Sequence, residues 1–474
     1  QTLYGSAGIA FDLEIYANAL QASNPGFNDI LVFHGSSDAP SVDAIANGGA
    51  TPLIDDLDYG AFQGYENVQS TEYILDVTPF NNNSSVVGSF YVDAAPVTGI
   101  PLVIVASGFL DPSSNANGPE FGLFAYSAFG GPAIPLTVVG TAPVQVIHNS
   151  ADPLADTVDI YVNTINDTIK LDNVAFRNAT GFLDLPTGYE LDIRVSDRTS
   201  TGYNDQEIET FPATLDSTES YTVIANGVVG TGFASNPSNV DSSFNLFIAT
   251  GARQAAQTAG SFELNVFHGS TDAPSVGVNA NGDDVIASAT YTDFSGYLSV
   301  DPERYRFDVT AANDPTNILF RYAIDASGFA DVAAVVFASG FLDPSSNNGG
   351  PGFGLFAVTP AGGEAFELSL VGDARAQVIH NSADPMADTV DIYVNTLADT
   401  IKLDDVAFRN ATMFLDLPTD YEIDIRVSDR TSTGYGDQPI ATFGETLEDG
   451  ASYGIIANGV VGTGISSTGI RSES

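Results

Sequence analysis

The sequence predicts an all-β protein made of four consecutive antiparallel β-sandwiches, and three observations lead there. The chain repeats itself at a constant spacing, its apolar runs are short and alternating, and turn-forming pairs separate those runs at close intervals. Val158-Asp-Ile-Tyr-Val162 and Leu191-Asp-Ile-Arg-Val195 are typical runs: β-branched, apolar at every second position, and bounded by Asp-Pro, Asn-Gly or Thr-Gly. No stretch carries a helical apolar stripe over several turns, so sandwiches are the expected packing.

The repeat is double. Val144-Gln-Val-Ile-His-Asn-Ser-Ala-Asp-Pro153 returns from Ala376 to Pro385, and Asp192 to Tyr203 returns as Asp424 to Tyr435, always 232 residues on. A related pair opens at Val32-Phe-His-Gly-Ser-Ser-Asp-Ala-Pro-Ser-Val42 and Val266 to Val276, and later shares Ala-Ser-Gly-Phe-Leu-Asp-Pro-Ser-Ser-Asn (Ala106 to Asn115, Ala338 to Asn347). The order is A-B-A′-B′. The expected units are residues 27–140, 141–256, 261–372 and 373–474, after an extension over residues 1–22. With their His-x-Ser-x-Asp-Ala-Pro opening and following Val-Asp strand, all four units resemble the secreted bacterial and archaeal repeats of domain of unknown function 4397. The resemblance implies exported, immunoglobulin-like sandwiches, often in tandem, and implies no activity.

The last strand of each unit can be traced through the repeats. It is Phe121 to Ala125 in unit one, Phe244 to Gln254 in unit two and Phe353 to Ala357 in unit three. In unit four the shared Asn-Gly-Val-Val-Gly-Thr-Gly (Asn226 to Gly232, Asn458 to Gly464) keeps the offset, which sets Ser474 on Ser242, short of Phe244. Unit four is therefore expected to lack its closing strand. A matching strand stands at the other end: Phe11-Asp-Leu-Glu-Ile-Tyr-Ala-Asn-Ala-Leu-Gln21 aligns with Phe244 to Gln254. Phe11 is 23 residues before His34, and Phe244 is 24 before His268.

The expectation is donor-strand complementation, resembling assembly in pili built that way. Phe11, Leu13, Ile15, Ala17 and Gln21 form the donor strand, with Asp12, Glu14 and Tyr16 turned outward. Asn458, Val460, Val461 and Ile465 mark the acceptor end of unit four, and the joined copies continue one A-B-A-B array. Three other readings of the segment stay open. It is an amphipathic helix, since Phe11, Ile15 and Ala19 recur every four residues; it folds back into its own unit four; or the chain is cut at Ser474.

Composition narrows the partners. With 14 basic against 60 acidic residues among 474, a net charge of −46, the chain has little with which to neutralise phosphates, so nucleic acid is excluded as a partner. Scattered carboxylates suit a surface kept soluble in high salt, with calcium binding the competing reading; no cofactor is otherwise expected. There is no cysteine, hence no disulfide or thiolate chemistry. No apolar run approaches the roughly 20 residues of a membrane span, so no membrane insertion is expected. The first residues, with Asp12 and Glu14 and no basic start, are not a signal peptide, and Gln1 reads as a terminus left by removal of one.

Chemistry-bearing residues fall on the repeat. His34, His148, His268 and His380 are each followed four positions on by Asp38, Asp152, Asp272 and Asp384. Four copies read as a structural corner in which the turn carboxylate holds the imidazole, rather than as four active sites or metal sites. The nearby Asp43, Asp159 and Asp391 have no counterpart in unit three, where Gly277 stands, so a metal site using them fails there. The Leu110 to Asn115 and Leu342 to Asn347 loops suit tight turns, and Asn82, Asn166, Asn178 and Asn410 head glycosylation triplets. No nucleophile, base and orienter come together, so no enzyme is expected. The expected function is that of an extracellular or cell-surface filament subunit whose partner is itself. The alternative is a monomeric or ring-closed surface adhesin gripping glycan or another cell through its loops.

Overall fold

The computed structural model describes residues 12–397 and 400–461. It is all-β, with single-turn 3₁₀ segments such as Pro153–Ala155 and no α-helix among the described residues. Strand alternation does what the sequence dictates. Along Glu190–Asp197, Leu191, Ile193 and Val195 turn inward and the residues between them face the other way.

The strands form sheets that pack face to face into sandwich-like domains. Over unit one, one sheet runs Phe62–Gln69, Phe27–His34, Leu102–Ser107, Gly122–Ser127, Ile134–Pro135. The facing sheet runs Thr137–Val139, Gly88–Asp93, Glu72–Pro79, Val42–Ala46, Ile54–Leu57. Ile30, Leu75, Val77, Phe90 and Ile104 fill the space between them. The strand expected to be last is followed in unit one by two short ones, Ile134–Pro135 and Thr137–Val139, and in unit three by three, Gly363–Glu364, Phe366–Glu367 and Ser369–Leu370.

The sheets are not purely antiparallel. The opening strand of each unit lies parallel to a late one: Phe27–His34 beside Leu102–Ser107, Thr141–His148 beside Tyr221–Asn226, Phe262–Phe267 beside Val332–Ser339, and Asp373–His380 beside Ser452–Ala457. The physical reason is connectivity. The chain crosses to the facing sheet and back between these strands, so no hairpin links them and nothing forces them to oppose.

In unit two the sheet order is Asn245–Thr250, Tyr221–Asn226, Thr141–His148, Asn178–Ala179 and then Gly363–Glu364, which comes from unit three. A separate apolar cluster of Ile147, Ala179, Ile224, Phe267, Phe337 and Phe356 is buried at that junction. In unit four the matching sheet has, among the described residues, three strands, Leu415–Pro418, Asp373–His380 and Ser452–Ala457.

Below the sheet surface, Asp159 is fully buried and accepts from the Asn173 amide at 2.8 Å and the Ser200 hydroxyl at 2.6 Å, with Lys170 Nζ at 2.8 Å. Asp391, Asp405, Ser432 and Lys402 repeat the arrangement. At Gly277 of unit three a Cβ would stand 2.6 Å from Thr310 Oγ1 and 3.0 Å from the Ile286 carbonyl, so no side chain fits.

Equivalent residues in different surroundings give a direct test. Ile224 is 0% exposed and Ile456, 232 positions on, is 59% exposed. Ile224→Ala is expected to cost about 2–5 kcal/mol, and Ile456→Ala in the unassembled chain less than about 1. Urea unfolding of the two variants beside the parent chain reads the difference.

Candidate assembly site

The unusual surface of this molecule is one edge of unit four. Ser452–Ala457 pairs with Asp373–His380 on one side, and on the other it has no strand among the described residues. Its counterpart Tyr221–Asn226 is paired on that side with Asn245–Thr250, with Ile224 opposite Phe247 and Asn226 opposite Asn245. Every residue of Tyr221–Asn226 is buried, whereas Ser452–Ala457 alternates exposed and half-buried. In unit two Phe244 reaches the core beside Phe211, ring centroids 6.1 Å apart. In unit four the counterpart of Phe211 is Phe443, 53% exposed, beside a cavity of about 400 Å³ lined by Val378, Ile425, Ile455, Ile456, Val460 and Val461. Asn458 lines the same cleft and accepts from Asn381 Nδ2 at 3.1 Å, while Ile465 lies outside the described residues.

Of the expected donor strand, Phe11 lies outside the described residues, and residues 12–16 belong to neither a strand nor a helix. Leu13 and Ile15 are 78% and 79% exposed, and Ala17 and Gln21 are exposed as well. Tyr16 departs from the expected outward position. Its ring lies on Phe62 and Tyr65 at 5.4 and 5.9 Å, because the segment runs along unit one and its largest apolar ring finds aromatic neighbours there.

Two anchors fix where the segment meets unit one. The Leu20 amide donates to the Tyr65 hydroxyl at 3.0 Å, and the Ser23 amide to the Gly99 carbonyl at 2.9 Å. At the unit two to unit three crossing, the Arg253 amide donates to the Tyr297 hydroxyl at 3.0 Å and the Ala256 amide to the Asp331 carbonyl at 3.0 Å. These are the same positions under the alignment of Phe11 to Gln21 with Phe244 to Gln254.

The four histidines sit buried at the ends of the opening strands, but no imidazole is held by its turn carboxylate. His34 and His268 face the Pro40 and Pro274 carbonyls through Nε2 at 2.9 Å, and His148 and His380 face those of Ala155 and Ala387 at 2.7 Å. The carboxylates turn the other way, onto loop amides some 70 residues on. Asp38 accepts from Leu110 and Asp111, Asp272 from Leu342 and Asp343, and Asp152 from Val229 and Gly230. Asp384 accepts from Val461. The reason is geometric: each turn points its carboxylate at loop N–H groups, and a nearby backbone carbonyl meets the Nε2 of the ring. Burial pushes Asp38 up, and the amides of Asp111 and Leu110 with the Ser36 hydroxyl more than offset it, leaving the group below the usual carboxylate range.

The family model described as a domain of unknown function, DUF4397, matches residues 28–114, 142–242 and 262–343, together more than half of the chain. The chain belongs to the DUF4397 family. The expected likeness over all four units is thus matched in the first three, while unit four is tied to the family through its repeat of unit two. No curated protein matches this DUF4397 chain. Solved structures similar to it include the Bacillus anthracis TIE protein, with 9% identity over 93% of this chain and 69% of that one and a TM-score of 0.15. Another is the pilus adhesin SpaC from Lactobacillus rhamnosus GG in its open conformation, with 10% identity, 92% and 56% coverage and a TM-score of 0.14.

Among the described residues of this DUF4397 protein, Asp43, Asp55 and Asp56 come nearest to a cation site, with one oxygen of each within 4.8 Å of the others. In unit two the equivalent pair Asp159 and Asp172 shares Lys170, whose place in unit one is taken by Leu53. Sequence reading missed this, since Lys170 recurs as Lys402 but its replacement by Leu53 in unit one becomes visible only once the strands are paired.

Burial lowers His148 from its ordinary value of 6.5 to about 4, so the folded ring is neutral. An unfolded imidazole gains a proton as pH falls below 6.5 and the folded one does not, so stability is full above 6.5 and is lost between 6.5 and about 4. Between those values the parent chain is expected to lose up to about 1.4 kcal/mol per pH unit more than His148→Asn. Urea titrations of both at pH 7, 6 and 5 check this.

Proposed function

We propose that this chain is a structural subunit of an extracellular or cell-surface filament, polymerising head to tail. Phe11 to Gln21 of one copy adds to the free side of Ser452–Ala457 in its neighbour. The observation that carries the reading is that open edge: among the described residues Ser452–Ala457 has no strand where Tyr221–Asn226 is covered by Asn245–Thr250, and Phe443 is exposed where Phe211 packs beside Phe244. An unpaired, apolar sheet edge promotes aggregation unless something covers it, and an extended strand with alternating apolar residues is its natural complement.

The segment has the required form. Leu13 takes the place of Leu246, which packs on the core of unit two, and Phe11 that of Phe244, now beside Phe443, while Ile15 takes the place of Ile248, which stays 43% exposed. Each buried side chain contributes roughly 1.5–3 kcal/mol, and each ladder bond about 1. The matched anchors at Leu20 and Ser23 support the same path, since they launch the segment from unit one as the closing strand of unit two is launched from unit three. The role is mechanical rather than catalytic, and the principal partner is a second copy.

Electron microscopy of the full chain beside a deletion of residues 1–22 tests this. Filaments are expected from the full chain and none from the deletion, and a peptide of Phe11 to Gln21 should bind the deletion and cap the full chain. Closed rings or single particles from the full chain would overturn polymerisation and favour the adhesin reading.

A further inference from the structure

The closing strand is only part of the junction between units two and three; the rest is a contact between sheet faces. Ile147, Ala179 and Ile224 bury against Phe267, Phe337 and Phe356. A polar latch surrounds them. Arg177 lies 3.7 Å over the Phe356 ring, with Nε donating to Ser339 Oγ at 3.0 Å and Nη2 to the Gly352 carbonyl at 2.9 Å. Gln145 donates to the Thr359 carbonyl at 2.8 Å and Asn149 to that of Ala338 at 3.1 Å. A two-residue ladder, Asn178 opposite Glu364 and Ala179 opposite Gly363, completes the seam.

Both halves of this seam recur at the two ends of the chain, uncovered. On unit four the offset of 232 places Gln377, Asn381, Arg409 and Ala411 where unit two has Gln145, Asn149, Arg177 and Ala179. Arg409 is exposed and already stacked 4.8 Å over Phe408, as Arg177 is 4.6 Å over Phe176. On unit one the same offset gives Val105, Ser107 and Phe124 for Phe337, Ser339 and Phe356, and Phe33 opens the face as Phe267 does. Those residues of unit three are buried; all four of unit one are half-buried, beside an exposed Tyr126.

We infer that this face of unit four docks on the outer face of unit one of the next copy, as unit two docks on unit three. Arg409 lies over Phe124 and reaches Ser107 and Glu120. The occupant is a second copy, because the chain carries the mated form of the same two surfaces inside itself. Charge agrees: Arg177 has Glu367 of unit three as its counter-charge, and although Pro135 replaces that residue in unit one, Glu120 stands there in place of Gly352 and supplies a carboxylate for Arg409. The inference rests on the head-to-tail order of the proposed filament, and adds a contact between sheet faces, which the closing strand of unit two meets through Phe247 on Phe267 and Tyr291.

Because the chain has no cysteine, the seam can be trapped directly. Asn410 and Pro132 stand where Asn178 and Glu364 face each other across the ladder, within disulfide reach. Full chain bearing Asn410→Cys, mixed with full chain bearing Pro132→Cys, is expected to form disulfide-linked pairs at least about tenfold faster than Asn410→Cys mixed with Asp314→Cys. Arg409→Glu should weaken association at least about tenfold, with recovery on adding Glu120→Arg. Peptide capture by the deletion of residues 1–22 should be unaffected by Arg409→Glu. Control-level crosslinking with filaments and peptide capture intact would overturn the face contact and leave the strand standing. Crosslinking without peptide capture would uphold the face and remove the strand.

Discussion

A strand inside a sheet has N–H and C=O groups along both of its edges, and in a sandwich each must meet a partner or water. Around this chain the requirement is met in the same way again and again. The opening strand of a unit lies between two neighbours, and a late strand parallel to it is covered in turn by a closing strand. Ser452–Ala457 is the place where the described chain departs from that arrangement, with one side of the strand unpaired among the described residues. Around it Phe443 is exposed and Val460 lines an open cavity.

Packing within each unit is otherwise closed by local devices. Buried imidazoles seal the strand ends against backbone carbonyls, and the aspartates four residues on gather loop amides from the far side of the unit. Lys170 and Lys402 neutralise Asp159 and Asp391 beneath the second sheet. With no disulfide available, these corners, together with the apolar layers, hold each sandwich. The units are joined by more than their connecting chain: the Arg177 latch and the Asn178–Ala179 ladder turn a tandem array into a stacked one.

Much of this was legible in the residues themselves. Alternating runs such as Val158 to Val162 determined strands and an inward face, because side chains on an extended backbone change sides at every residue. The 232-residue offset determined which positions are equivalent, and so pointed to unit four as the odd member and to Phe11 to Gln21 as the relative of Phe244 to Gln254. Tertiary structure decided what local pattern cannot encode. It set the parallel pairing of opening and late strands, turned His148 and Asp152 to separate partners, and brought Asp43, Asp55 and Asp56 together without a lysine. It also laid Tyr16 on Phe62 and Arg177 on Phe356. Each of these contacts joins residues far apart in the chain or in different units, and their meeting depends on how whole sheets stack rather than on any one stretch of sequence.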